Sequence, residues 1–359
     1  MASDPTTAPD TAAETAIVDC DLHVYPDAED EIAARLPRRY AGKGVSAPAG
    51  NWTSPIDRTA SGPGVAREAE RADPERTIET HLDGRGIDRA VLVGGRANLR
   101  ATALPDVRYA SALTRAYNDW LIDAWLERDD RFYGSISVAP HAPEEAAEEI
   151  DRLGDHSQMV QVVVSNGTQI PLGQEKYWPI YRAAEAAGLP VAIHAGSAGY
   201  GVSHANSGAG YPSTEAERRT VEPCNFMGQL LSVVLEGVPV EFPDLRVVLI
   251  GSGFSWLPSF LWRVDKCWKG PSQDNPWVQR PPSEYVYETM RIVDGDLGVA
   301  DSTTLRREML ELSRAEELLM YGSNFPHWDY AAPDADRDGL SDDFTRAFYA
   351  GNATSTYAF

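Results

Sequence analysis

Residues 177–196 read YWPIYRAAEAAGLPVAIHAG. The first half fits a helix that stops at Gly188, the residue best suited to the left-handed turn that ends helices. After Pro190 comes a short apolar run, Val191-Ala192-Ile193, which closes on His194-Ala195-Gly196. A helix that hands the chain straight to a buried strand with a small, polar end is the repeating unit of parallel α/β architecture.

The same alternation runs outward in both directions. Strand-like runs begin at Ala16 (AIVDCDLHV), Arg89 (RAVLVGG), Phe132 (FYGSISVAP) and Met159 (MVQVVVS). They continue at Pro190 (PVAIHAG), Arg246 (RVVLIGSG), Glu288 (ETMRIVDG) and Leu318 (LLMYGSNF). Helical patterns lie between them. PEEAAEEIDRL carries carboxylates in its first turns, and the stretch from Asp106 puts Leu113, Ala116, Tyr117 and Trp120 on one face. Eight such units predict an α/β (β/α)8 TIM barrel, with an open doubly wound sheet as the alternative. No G-x-G-x-x-G follows the first strand, which weighs against a dinucleotide site.

The chain has 359 residues, enough for one such barrel, with 32 basic against 54 acidic residues and a net charge of −22. That balance disfavours nucleic acid and anionic membranes as partners. Three scattered cysteines, Cys20, Cys224 and Cys267, fit reduced thiols and a cytoplasmic protein. No apolar run is long enough to span a bilayer. Residues 1–14, acidic and rich in small residues, are expected to be a disordered tail before a single barrel domain over 15–359. Two long inserts, Pro26 to about Pro74 and Gly196 to about Glu222, follow strand C-termini and are candidate lids over an active site.

Chemistry concentrates at strand ends. In Asp19-Cys20-Asp21-Leu22-His23, strand alternation puts Asp19, Asp21 and His23 on one face. Three polar groups pointing one way each need a partner, which a metal ion or a hydrogen-bonded cluster at the barrel floor would supply. His194 shares its face with Ala192 at the mouth of strand five. Asp21, His23 and His194 together make a two-histidine, one-carboxylate set of the kind that holds zinc or iron(II). The eighth run ends at Gly322-Ser323-Asn324, with His327 and Asp329 just beyond. An amide at the tip, Asn324, cannot act as a general base. His81, His141 and His156 read as structural or solvated, whereas His204, in the second insert, could reach a substrate. No G-x-S-x-G elbow is present, so Ser252 between two glycines reads as a substrate contact and not a nucleophile. Trp256 and Trp328 are further candidate substrate contacts.

Taken in order, DCDLH, AYNDWLIDAWLERDDRFYGSISVAP, YWPIYRAAEAAGLPVAIHAG, FPDLRVVLIGSGFSWLPSFLWRVDKCWK and YGSNFPHWDY resemble the amidohydrolase-related (amidohydrolase 2) branch of the amidohydrolase superfamily. That branch includes the aminocarboxymuconate-semialdehyde decarboxylase-like enzymes. The resemblance runs from about residue 16 to the end. It implies a barrel with one divalent metal, commonly zinc, and hydrolysis, non-oxidative decarboxylation or hydration of small, often aromatic, acids. It matches Asp21 and His23 to the first-strand ligand pair and His194 to the strand-five ligand. It also implies a homodimer, by analogy. Two positions depart from the pattern: Gly251 stands where relatives carry a histidine or glutamate, and Asn324 where they carry the strand-eight aspartate. Asn324 would then be a neutral fourth metal contact, with His327 or Asp329 as stand-in proton shuttle.

Three functions follow from this reading. The first is metal-assisted hydrolysis or C–C bond cleavage of a small organic substrate, with altered acid/base residues. The second is a metal-free tailoring enzyme of small-molecule biosynthesis, performing cyclisation, isomerisation, elimination or condensation. The third is a non-catalytic ligand-binding protein.

Overall fold

Strand β1 (Val18–Val24) pairs in parallel with β2 (Arg89–Gly94), and the pairing continues through β3 (Phe132–Ser137), β4 (Met159–Ser165), β5 (Val191–His194), β6 (Val247–Ile250), β7 (Met290–Val293) and β8 (Leu319–Met320). The computed structural model describes residues 16–40, 42–43, 45, 73–270, 274–297, 302–327, 329–333 and 339–359. All eight strand-like runs become strands of one sheet, in sequence order. The ring then closes. Cys20 N–H donates to Tyr321 O at 2.9 Å, Asn324 N–H to Asp21 O at 2.9 Å, and His23 N–H to Phe325 O at 2.7 Å. The expected α/β TIM barrel is therefore the fold, and the open sheet is ruled out.

Two apolar layers follow from strand alternation. Val18, Cys20, Val91, Val93, Ala192, Val248 and Ile250 pack inside the ring. Leu22, Leu92, Val191, Ile193 and Leu249 face outward and meet the surrounding helices. The helix Val107–Ala124 buries Leu113, Ala116, Tyr117 and Trp120, the face read from sequence. The helix Pro143–Leu153 matches its predicted span, and the helix Trp178–Ala186 ends two residues before Gly188, which has φ 68. Beneath the ring, Ala353 and Tyr357 join the inner layer, and the Tyr357 hydroxyl donates to Gln161 Oε1 at 3.1 Å.

The first strand departs from simple alternation. Its register with β2 shifts between Asp19 and Leu22. Cys20 therefore packs inside and Leu22 outside, and Asp19 no longer shares a face with Asp21 and His23. A strand irregularity flips every side chain beyond it. Asp19 instead pairs with His81 Nε2 at 2.7 Å and accepts from the Ser323 N–H and hydroxyl at 2.8 and 2.6 Å. Burial opposes its ionisation, but His81 and Ser323 outweigh burial and hold the carboxyl below its usual range. His81 is thus structural, and Asp19 is a latch between the first strand and the chain beyond the last.

The second insert is shorter than its sequence suggested, because a helix, Glu215–Leu235, begins inside it. Thr214 caps that helix. Its hydroxyl accepts from Glu217 N–H at 3.2 Å, and Glu217 Oε2 accepts from Thr214 N–H at 2.8 Å. The preceding loop is pinned to the segment after β2 by a Val202 N–H bond to Ala103 O at 3.0 Å. Most of the first insert and all of the expected N-terminal tail lie outside the described residues. Among the described residues, no helix is long and apolar enough to cross a membrane.

Candidate active site

A cavity of about 340 Å³ opens at the C-terminal ends of the strands. Asp21, His23 and His194 stand at its base, all three buried, with one ligand atom from each lying within 4.8 Å of the others. His23 Nε2 is 3.3 Å and His194 Nε2 is 3.4 Å from the same carboxylate oxygen, Asp21 Oδ1. Gly322 makes this approach possible, since a Cβ there would sit 2.8 Å from Asp21 Cβ and 2.3 Å from Val293 Cγ1.

The ring nitrogens are set from behind. His23 Nδ1 faces Gly94 O at 3.2 Å, and His194 Nδ1 faces Ala195 O. Carbonyls only accept, so each Nδ1 carries its proton and each Nε2 is left as the free donor atom. Two imidazole lone pairs aimed at a carboxylate oxygen repel one another unless a cation lies among them. Burial, His327 and His194 drive His23 well below the usual imidazole range, which keeps it neutral. Burial also opposes charge on His194, but the hydrogen bond and charge of Asp21 prevail and raise it. One carboxylate and two neutral imidazoles, each fixed by a backbone carbonyl, fit a divalent cation.

The strand-eight side of the cavity is organised differently. Asn324 adopts a left-handed backbone at φ 55, a conformation asparagine tolerates. Its Nδ2 donates to Asp329 Oδ1 at 2.7 Å, and its Oδ1 accepts from His327 Nδ1 at 2.6 Å. That bond places the His327 proton on Nδ1, so Nε2 accepts from the Tyr25 hydroxyl at 2.5 Å. Arg219 Nη1 holds the other Asp329 oxygen at 2.5 Å. A chain of polar contacts thus runs Tyr25, His327, Asn324, Asp329, Arg219. The amide expected as a neutral metal contact is engaged at both ends by other partners. An aspartate at 324 could not make this bridge, since it would set a second carboxylate against Asp329.

Asn324, His327 and Asp329 all line the cavity, as anticipated. The expected substrate contacts differ. His204 turns to the backbone carbonyls of Ala205 and Asn166, at 2.6 and 3.3 Å, and is not part of the lining. Ser252 donates to Gly253 O at 2.7 Å, and Trp256 Nε1 reaches Ser252 O at 2.9 Å, so both secure the turn after β6. The flanking Gly251 and Gly253 are the residues that line the cavity there. Trp328 lies outside the described residues.

Several lining residues were not anticipated. Glu215, Arg218, Arg219 and Glu222 point into the cavity from one face of the helix Glu215–Leu235. Glu215 pairs with both arginines, and Glu222 lies 3.6 Å from Arg218 and accepts from Asn166 Nδ2 at 2.6 Å. The S-T-E-A-E capping signal and the three-, four- and seven-residue spacing could have revealed this face. Tyr25 continues the alternation of Asp21 and His23. Arg100 lies over the Tyr200 ring at 3.7 Å and donates to its hydroxyl at 2.7 Å. Asp294, directly after β7, also lines the cavity. Burial pushes its carboxyl up to about 7, and the charges of Asp296 and Asp21 push the same way.

A family model described as Amidohydrolase matches residues 18–359. A gamma-resorcylate decarboxylase of Polaromonas sp. is 23% identical over 297 residues, covering 77% of this chain and 85% of that protein. A solved 5-carboxyvanillate decarboxylase from Novosphingobium aromaticivorans, complexed with manganese and 4-hydroxy-3-methoxy-5-nitrobenzoic acid, superposes with a TM-score of 0.70 at 20% identity, covering 96% of each chain. A dihydroxybenzoic acid decarboxylase from Polaromonas sp., with bound manganese and the inhibitor 2-nitroresorcinol, gives a TM-score of 0.68 at 18% identity, covering 95% of this chain and 96% of that one.

Proposed function

The chain belongs to the amidohydrolase family, and from that premise we propose that it is a metal-dependent lyase that removes carbon dioxide from a small hydroxylated aromatic acid. One observation carries the choice of decarboxylation over hydrolysis: the Asn324 amide, tied to His327 and Asp329. Hydrolysis needs a base to take a proton from water. Decarboxylation needs no activated water; it needs an electrostatic hold on the substrate and a proton for the ring carbon. The loss of a carboxylate at position 324 therefore harms the first reaction more than the second. The similar proteins named above act on aromatic carboxylic acids, which supports the same choice.

Asp21, His23 and His194 would hold the cation. A divalent ion there supplies concentrated positive charge for a substrate carboxylate and its neighbouring hydroxyl oxygen. Zinc and manganese both suit one carboxylate and two imidazoles, and manganese is the ion bound in two of the similar structures. The chain's own residues do the rest. The backbone carbonyls of Gly94 and Ala195 orient the two rings, and Asp19 ties strand one to the segment after strand eight. Arg218 and Arg219, paired to Glu215, form one wall, and the glycines at 251 and 253 leave room for a flat ring.

The test uses protein stripped of metal and reloaded with manganese or zinc, offered gamma-resorcylate, 5-carboxyvanillate and simple phenyl esters. Carbon dioxide release that depends on the metal, with negligible ester cleavage, is the expected result. Ester hydrolysis without decarboxylation would overturn the proposal, and full activity in metal-free protein would move the weight to a metal-free tailoring reaction.

A further inference from the structure

Resting on the decarboxylase reading, we propose that Asp294 is the acid that delivers a proton to the ring carbon from which carbon dioxide leaves. Asp294 is the first residue beyond β7, and its N–H is fixed to Met320 O at 3.1 Å. The adjoining turn is tightly packed, since a Cβ at Gly295 would lie 2.1 Å from Gly322 O. The carboxyl is therefore held on a strand end and not on a mobile arm. On the strand-six side Gly251, bonded through its N–H to Val293 O at 3.3 Å, lines the same cavity without a side chain.

Of the other carboxylates lining the cavity, Asp296 is exposed and the remaining four are engaged by partners. Asp21 faces two histidines, Asp329 is bound by Arg219, Glu215 by two arginines, and Glu222 by Arg218 and Asn166. Burial opposes the ionisation of Glu215, but its two arginines outweigh burial and hold that carboxyl below its usual range. Asp294 accepts from the Asp296 N–H at 3.2 Å, and among the described residues no lysine, arginine or histidine pairs with it. Its surroundings favour the protonated acid, consistent with its upward shift to about 7. An acid poised near the working pH is the form best suited to transfer a proton.

The step balances as follows. The proton of the Asp294 carboxyl forms a C–H bond at the ring carbon that bears the carboxylate, drawing on ring electrons supplied by the neighbouring hydroxyl oxygen. The bond from that carbon to the carboxylate then breaks, its electron pair restores the aromatic ring, and carbon dioxide departs. Water returns a proton to the Asp294 carboxylate. No oxidant or reductant is involved.

The experiment compares wild type with Asp294→Asn and the smaller Asp294→Ser, each loaded with manganese. It follows decarboxylation of gamma-resorcylate and 5-carboxyvanillate, and exchange of the ring hydrogen of resorcinol in deuterium oxide, which reads the proton transfer alone. Losses of about 10²-fold or more in both readouts, with manganese content and melting temperature preserved, are expected. Turnover and exchange within threefold of wild type in either well-folded variant would overturn the assignment and leave the decarboxylase reading standing. Loss of manganese from both variants would also overturn it, because Asp294 would then act through the cation site. Wild-type protein that decarboxylates neither substrate would overturn the decarboxylase reading itself, and the proton donor with it.

Discussion

The two sides of the cavity do different work. On the side of strands one and five, Asp21, His23 and His194 converge within 4.8 Å, each ring held from behind by a carbonyl. On the side of strands six to eight there is a glycine, an amide locked between two partners, and a carboxyl with no cationic side chain paired to it among the described residues. In the proposed reaction the first side would hold positive charge, and the second would hold and move a proton. Separating the tasks lets the cation site stay intact while the proton-handling side changes chemistry.

The largest effect is expected on the cation side. His194→Ala should abolish stoichiometric manganese or zinc and lower activity on the order of 10³-fold. Metal analysis of the purified variant beside its turnover decides this, and a variant that kept both would end the distinction between the two sides.

A smaller loss is expected from the amide. Asn324→Asp places a carboxylate where Asp329 Oδ1 now accepts at 2.7 Å. Two carboxylates at that distance cannot both stay ionised without cost. Turnover should fall about 10- to 100-fold, equivalent to roughly 1.5–3 kcal/mol. Adding Asp329→Asn restores one donor facing one acceptor, so the double variant should recover part of the loss. Strictly additive effects in that cycle would mean the bridge carries no function.

The smallest effect is on stability. The Asp294 carboxyl sits near 7 in the folded protein, against 3.8 ordinarily. Its folded value is raised, so the folded state binds the extra proton and stability falls as pH climbs from about 4 to about 7. Metal-free Asp294→Asn escapes this loss. Its melting temperature should exceed that of wild type by a few degrees at pH 8 and match it at pH 4. Equal melting at both pH values would remove the buried-acid character from the proton-handling side.

What the sequence disclosed follows the same division. The strand-five reading held because Val191, Ala192, Ile193 and His194 obey plain alternation, which one residue type after another makes visible. The first strand misled because its register shift has no local signature: the same letters, Asp-Cys-Asp-Leu-His, would fit a regular strand. Asp21 and His23 were still paired correctly, since both lie beyond the shift, but Asp19 was not. The wall of Glu215, Arg218, Arg219 and Glu222 was legible in a capping signal that the glycine-rich residues before it obscured. Asp294 could not have been found. A single aspartate after Ile-Val is an ordinary strand end, and its carboxyl is raised by its folded surroundings, burial first and then the charges of Asp296 and Asp21.

The latch at Asp19 has a consequence for how this ring forms. The bond from the Ser323 N–H to Asp19 spans 304 residues of chain, and the approach of His194 to Asp21 spans 173. Contacts that distant in sequence reward the chain only after most of the entropy of closing the loop has been lost, so they come late in folding. A cation shared by Asp21 and His194 binds the closed ring and has no equivalent site in an open one. If the proposed cation binds there, it would favour the closed ring by mass action, holding strand one to strand five.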